Sequence, residues 1–351
     1  MSTSDFAQDI TVIGGGIFGL SIAWACLQRG AKVRVIEKRG IGAGASGGIV
    51  GALAPHVPEN WNDKKQFQFE SLIAARDFWP AVERISGLSS GYLRTGRLQP
   101  VLDARSLALA QTRSENAQTL WRGEAEWKVI AQSGAAWEPP SPTGFLIKDT
   151  LSAHIHPRQA VLALARAIEL KGGEIIIGTG KAQGKIIHAT GYEGLLEDST
   201  LLDQPFGNGV KGQAMLLKFD SMGAPQLFAD ALHIVPHGDG TVAIGSTSER
   251  VFDAPSETDA QLDEIYARAV KAFPVLAGAP VLARWAGVRP RAKSRAPVLG
   301  RHPVYDGQFI ANGGFKIGFG MAPRVAEVMA DLVLEQRDTI PDSFKPEASL
   351  R

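Results

Sequence analysis

The stretch from Asp9 to His56 limits what this chain can fold into more than any other. Ile10 to Ile13 is a short β-branched run, suited to a strand buried on both faces. Gly14, Gly16 and Gly19 follow it as G-x-G-x-x-G. The first permits a tight turn, the second lets backbone approach a pyrophosphate, and the third lets a helix pack closely on the strand. Ile17 and Phe18 open a helical run that stops at Arg29-Gly30. Val33 to Ile36 alternates as a second strand, with Glu37 at its end and Lys38 next. A carboxylate there accepts hydrogen bonds from a ribose diol and would repel a 2′-phosphate. The helix N-terminus adds N–H donors and a positive dipole end. The chain has 39 glycines, so a lone fingerprint would say little. Here it stands in the strand–turn–helix–strand context that a dinucleotide site requires.

Ile10 to Leu27 carries no charge and is about long enough to span a bilayer. Three consecutive glycines inside it and Glu37 soon after fit a buried α/β unit instead. With 351 residues, 44% of them hydrophobic and 21% charged, the chain has ample material for a core. Lysines and arginines number 37 against 36 acids, a net charge of +1. That balance supplies no bulk attraction for nucleic acid or an anionic membrane. The single cysteine, Cys26, excludes an intrachain disulfide and a cysteine-built zinc site. Met1 to Gln8 is polar and lacks a basic start followed by an apolar core, so a cytoplasmic location is the default expectation. Assembly into a homo-oligomer stays open.

Gly40 to His56 is too glycine-rich for helix or strand, yet Ile49, Val50, Leu53 and Pro55 are too apolar for a solvated loop. It reads as backbone wrapped around a cofactor. Helices are expected over Gln66 to Val82, Leu107 to Arg122, Pro157 to Leu170, Glu257 to Phe273 and Pro323 to Gln336. Tyr92 to Asp103 is expected to form hairpin strands around Gly96, and Leu232 to Ser246 a hairpin turned at Gly238 to Gly240. Lys185 to Ala189 reads as a buried strand running into Thr190-Gly191, a second approach to the same nucleotide. His154 and His156, at i and i+2, share no helical face, and no further ligand cluster is visible, so no metal site is expected.

These motifs resemble the D-amino-acid oxidase superfamily of FAD enzymes, and within it the glycine oxidase group. The resemblance rests on Val12 to Gly19, Glu37, Gly44 to Ser46, Ala52 to Pro55, His156 to Arg158 and Ala189 to Gly191. It continues through Lys211 to Gln213, Ile234 to Pro236, Trp285 to Pro290, Leu299 to Pro303 and Ala311 to Pro323. It implies an α/β fold: a Rossmann-like FAD domain interleaved with an α+β substrate domain carrying a large mixed or antiparallel sheet. The FAD domain is expected over residues 1–85, 150–204 and 297–351, and the substrate domain over 86–149 and 205–296. It further implies FAD contacts from Ala45, Ser46, Gly51, Ala52 and Leu53, from Thr190 and Gly191, and from Gly314, Phe315, Lys316, Ile317 and Gly318. A second glycine-rich strand–helix junction at the far end of the chain separates an FAD enzyme from a nicotinamide dehydrogenase. Non-covalent FAD is implied as well, since the related sarcosine oxidases use a cysteine in the C-terminal half and this chain has only Cys26.

In the glycine oxidase group the arginine of the G-(L/V)-R-P turn pairs with the substrate carboxylate, which assigns that role to Arg289 by resemblance. A planar guanidinium fork suits a carboxylate bidentately. The expected reaction is hydride transfer from an amino acid or amine to flavin N5, followed by imine hydrolysis, with oxygen or another acceptor taking the electrons. This scheme needs no general base. His233 and Lys316 stand where the group carries tyrosine and arginine, on the substrate side of the ring. Two other activities share these features: oxidation of a methylaminomethyl-uridine-type tRNA base, with Arg291, Lys293 and Arg295 as phosphate contacts, and oxidation of a secondary amine. A non-enzymatic FAD-binding protein is disfavoured by Arg289 and the complete flavin-facing tail.

Overall fold

The glycine fingerprint opens a parallel β–α–β unit: β1 (Ile10–Ile13), α1 (Ile17–Gln28) and β2 (Val33–Glu37). The computed structural model of the chain describes residues 9–351, and the expectation drawn from Met1 to Gln8 lies outside them. β1 pairs with β2 in register Ile10↔Val33 to Ile13↔Ile36. Parallel neighbours need a crossover, and α1 provides it. Ile17, Phe18, Leu20, Ile22, Trp24 and Cys26 of α1 are all buried, so the helix is apolar around its circumference. It ends where Gly30 turns with φ +83°.

The next elements are β3 (Ala52–Leu53), α2 (Asp63–Ser86), β4 (Arg97–Pro100), α3 (Ala104–Leu120), β5 (Trp127–Ala131), β6 (Phe145–Asp149) and β7 (Ala153–His154). The chain then forms α4 (Pro157–Leu170), β8 (Glu174–Ile177), β9 (Lys185–His188) and α5 (Gly191–Leu201). After these come β10 (Gly207–Lys218), β11 (Gln226–Ala229), β12 (Leu232–Pro236), β13 (Thr241–Gly245), α6 (Ala260–Ala272) and β14 (Val281–Ala292). The chain closes with β15 (Val298–Arg301), β16 (Phe309–Asn312), α7 (Gly318–Glu335) and a short α8 (Glu347–Leu350).

Among the described residues the strands build two large sheets. One is parallel except for its edge strand β15, in the order β15-β16-β9-β1-β2-β8. The chain leaves β1 for β2 on one side, and β9 joins it on the other. That reversal puts a crevice at the carboxyl ends of β1, β2 and β9, where open α/β sheets take their ligands. The other sheet, β14-β10-β13-β12-β11-β4-β6-β5, is antiparallel except at β11–β4. Its longest pairing, β10 with β14, runs from Gly207↔Ala292 to Leu217↔Val281. The largest core surrounds α1, α2, α4 and α7 and reaches Trp127 and Ile147 of the second sheet, and a smaller one forms where Leu262 and Ile265 of α6 meet Leu217, Ile234 and Ile244. The parallel-rich sheet beside a large mixed sheet is the α/β architecture that the resemblance implied.

Two local expectations change. Tyr92 to Asp103 does not close as a hairpin. Only Arg97–Pro100 is a strand, lying between β6 and β11, and Leu93 makes an isolated bridge to His154. Gly96 (φ +80°) lies so close to β6 that a Cβ would sit 2.4 Å from the Asp149 carbonyl oxygen. The glycine marks a close approach of backbone, not a hairpin tip. α7 also begins at Gly318, five residues before the Pro323 expected to open it. Proline so far inside a helix removes a backbone donor. Packing of α7 on α1 and α2 overrides that local penalty. No described helix is long and apolar enough to cross a membrane.

A Cβ on Gly19 would lie 2.0 Å from the Gly14 carbonyl oxygen. Gly19→Ala should therefore push α1 off β1 and cost about 1–3 kcal/mol, the usual penalty of overpacking. Urea unfolding would show this as a lower midpoint at unchanged slope. An unshifted midpoint would mean that the helix moves without penalty.

Candidate active site

Gly14 has φ +117°, and a Cβ there would stand 2.2 Å from the Ala189 carbonyl oxygen. The β1–α1 turn and the Ala189-Thr190-Gly191 junction after β9 are thus in backbone contact. The N–H of Ile17, in the first turn of α1, donates to Ser46 Oγ at 2.9 Å. Glu37 accepts from Gly15 N at 2.6 Å and Arg39 N at 2.9 Å, which fixes its carboxylate over the turn. The glycine-rich loop is held from α4: Arg158 Nε donates to the Gly47 carbonyl at 2.8 Å, and His156 caps the helix by accepting from Gln159 N. Gly51 lies so near Ile155 that a Cβ would be 1.7 Å from its carbonyl oxygen.

At the other end of the chain, Asn312 Nδ2 donates to the Gly191 carbonyl at 2.9 Å, tying β16 to the start of α5. Gly314 packs on Phe18, and Phe315, with φ +42°, donates its N–H to the Pro290 carbonyl at 2.9 Å. One cavity of about 360 Å³ joins all these parts. Gly14, Gly16, Ile17 and Phe18 line it, with Glu37 and Lys38. So do Ala45, Ser46, Gly51 and Ala52 from the loop, and Thr190 and Gly191 after β9. Gly314, Phe315, Lys316 and Gly318 complete the wall beside Arg289. Four expected residues do not line it. Gly19 packs on the turn, Leu53 and Ile317 belong to the core, and His233 stands on β12.

Arg289 projects from β14 and lies flat over Gly212 of β10, where a Cβ would fall 1.8 Å from its Nη1. Its Nη2 donates to Ser246 Oγ at 2.8 Å and its Nη1 to the Thr247 carbonyl at 3.3 Å. Burial pulls its pKa down to about 10, with Glu249 opposing, so it stays charged at neutral pH. Glu249 is itself engaged by Thr247 Oγ1, by Gln213 at 3.0 Å and by Lys211 Nζ at 3.5 Å. The Lys-Gly-Gln run thus divides its duties: Gly212 makes room for Arg289 while its two neighbours hold Glu249. Burial, then the charge of Arg289, lowers the pKa of Lys316. His233 packs its ring 4.8 Å from Phe228, and its Nδ1 is buried without a partner. Burial, then Arg97 and Lys316, lowers its pKa to about 3, so it is neutral.

Sequence reasoning passed over Trp285, Asn312 and Ser246. Trp285 is legible in hindsight: it stands four residues before Arg289 on one strand, and residues at even spacing share a face. Its ring covers Gly287 and meets Gly48 of the cofactor loop. Ser246 carries no local signal, because it meets Arg289 only through sheet pairing. His154, His156 and His237 serve the fold, His237 through a 3.0 Å contact with the Ile49 carbonyl. Among the described residues no group of three or more His, Cys, Asp or Glu side chains could hold a metal ion.

The donor set suits a dinucleotide bearing an extended ring. Glycines without Cβ border the α1 N-terminus, a carboxylate ends β2, and Gly318, Phe319 and Gly320 bring a second helix N-terminus to the same cavity. Fold and cavity together define an α/β protein of the dinucleotide-binding type. The family model for FAD dependent oxidoreductases of the DAO type matches residues 9–332, and the chain belongs to that family. A glycine oxidase of Bacillus licheniformis is 28% identical over 366 residues, covering 93% of this chain and 93% of its own length. A bifunctional protein ThiO/ThiG of Nostoc sp. is 28% identical over 359 residues, and there the match takes 94% of this chain but only 53% of the relative. The chain thus spans about half the length of that relative. The crystal structure of glycine oxidase from Geobacillus kaustophilus superposes with a TM-score of 0.82 at 21% identity, covering 96% of this chain and 98% of the other.

The carboxylate of Glu37 retains lone pairs for a ribose diol beyond the two amides it already accepts. Glu37→Ala should raise the Kd for FAD about tenfold or more, the scale of one lost charged hydrogen-bonding group. Titration of apoprotein by flavin fluorescence reads this directly, and an unchanged Kd removes the diol role.

Proposed function

We propose that the protein oxidises the C–N bond of a small amino acid or amine with non-covalently held FAD, as a glycine oxidase or D-amino-acid oxidase does. The observation that carries this reading is the Phe315–Pro290 hydrogen bond, which brings the C-terminal glycine junction beside the strand that presents Arg289. Bound FAD would supply a two-electron acceptor for the hydride leaving the substrate Cα. In this reading residues 1–85, 150–204 and 297–351 form the FAD-binding part, and residues 86–149 and 205–296 the substrate part.

The chain's own residues do the positioning. Arg289 holds the substrate carboxylate, and Ser246 Oγ and the Thr247 carbonyl keep the guanidinium flat over Gly212. Trp285, on the same strand face, walls the cavity beside the glycine loop and limits water. The α7 N-terminus, which lines the cavity, would offer N–H donors and positive dipole to the negative charge that bound FAD gains on reduction. With its pKa lowered to about 3, His233 is a poor proton acceptor at ordinary pH, in keeping with a reaction that needs no general base. The substrate amine must therefore arrive deprotonated or lose its proton to solvent. The imine product would hydrolyse in water, and oxygen or another acceptor would take up the two electrons. Non-covalent attachment is supported by Cys26, the one cysteine. It is buried in α1, outside the cavity, and burial pushes its thiol up to about 12.

Arg289→Ala should raise KM for an amino acid substrate about a hundredfold, the scale of a lost buried charge-assisted pair, with FAD content kept. Anaerobic flavin bleaching with D- and L-amino acids, N-methyl amino acids and simple amines tests the reaction itself. The absence of bleaching by any of them would overturn the proposed activity, and an unchanged KM would remove Arg289 from the carboxylate.

A further inference from the structure

Two cations share the substrate end of the cavity, and neither has a carboxylate partner. Arg289 uses two of its donors, on Ser246 Oγ and the Thr247 carbonyl. A guanidinium has five, so three remain for a ligand. Lys316 makes no hydrogen bond or ion pair with any described residue; its ammonium has only the Phe315 ring, 5.7 Å away. The outer side adds more positive charge. Arg291 lies 5.6 Å over that same ring, and Lys64 Nζ donates to the Arg295 carbonyl at 2.5 Å. None of these side chains forms an ion pair with an acid among the described residues.

Arg289 is half-buried and Lys316 exposed at the rim of the same cavity, and like charges so placed repel. A carboxylate bound to Arg289 alone leaves the Lys316 charge without a counter-ion. The pyrophosphate is the obvious competitor for Lys316, but its place is the α1 N-terminus. Lys316 instead shares the cavity wall with Arg289, whose charge adds to burial in lowering the Lys316 pKa.

The geometry points to an amino or imino dicarboxylate as the substrate class: Arg289 takes the carboxylate next to the reacting carbon, and Lys316 takes a second one. The second carboxylate is bound and not transformed. This inference rests on the amino acid oxidase activity proposed above and adds a specificity to it.

The test uses holoenzyme and two unreactive probes, diglycolate with two carboxylates and methoxyacetate with one, titrated by the change each makes in the flavin spectrum. Diglycolate should bind about 30-fold more tightly than methoxyacetate at low salt, the scale of a second charge-assisted contact. Lys316→Met should bring that ratio to within about threefold, and Lys316→Gln should do the same if the first variant folds poorly. Because the ratio is taken within each protein, partial loss of FAD cancels. A wild-type ratio near one, or a ratio unchanged in the variants while their Kd for FAD rises, overturns the inference and assigns Lys316 to the cofactor. If monocarboxylate amino acids bleach the flavin and diglycolate binds no better than methoxyacetate, only the second-charge inference fails. If neither probe perturbs the spectrum and no amino acid bleaches it, the oxidase activity fails first.

Discussion

The N–H of Phe315 donates to the carbonyl of Pro290 across 2.9 Å, and the arrangement of the cavity depends on that contact. It joins the last glycine junction of the chain, on the parallel sheet, to the strand of the other sheet that carries Arg289. Gly14 provides the matching closure at the opposite side, because its missing Cβ lets the Ala189 carbonyl lie against the β1–α1 turn. Three stretches far apart in sequence therefore meet around one space. Each contact is between main-chain groups, so it constrains side chains at neighbouring positions more tightly than side-chain packing would.

Electrostatics then distinguishes the two ends of that space. At the α1 end charge is balanced locally, with Glu37 held by two amides and Arg39 paired to Glu193 at 2.7 Å. At the Arg289 end it is not balanced. Glu249 is the nearest acid acting on Arg289, and Lys211 and Gln213 already occupy it. A buried cation left in that condition is costly, and sites of this kind are where ligands supply the missing charge. On the proposed function, the asymmetry separates a nucleotide end, satisfied by dipoles and backbone, from a substrate end that calls for an anion.

Much of this was legible residue by residue. The β1–α1–β2 unit, Glu37 at the end of β2 and the Thr190-Gly191 junction stand where their local patterns put them, and the Gly314 to Gly318 junction where the resemblance implied it. The hairpin at Leu232 to Ser246 turned as its glycines indicated. The misreadings came where distant backbone overrode local pattern. Gly96 looked like a hairpin tip but accommodates Asp149, and Pro323 looked like a helix start but sits inside one that packing on α1 and α2 sustains. Ser246 gave no sign of itself, since what it meets depends on which strands pair and in what register.

The sequence by itself determined the period of each element, the places where only glycine can go and the chemical groups available. Those properties depend on a few neighbouring residues and their allowed dihedrals. Only the tertiary structure decided which groups share one cavity. That Lys316 and Arg289 both line it, and that neither has an acid for partner, follows from β14 lying beside the β16–α7 loop. The physical reason is that charge interactions act through space over several ångströms regardless of chain separation, whereas sequence patterns report only on the chain's immediate surroundings.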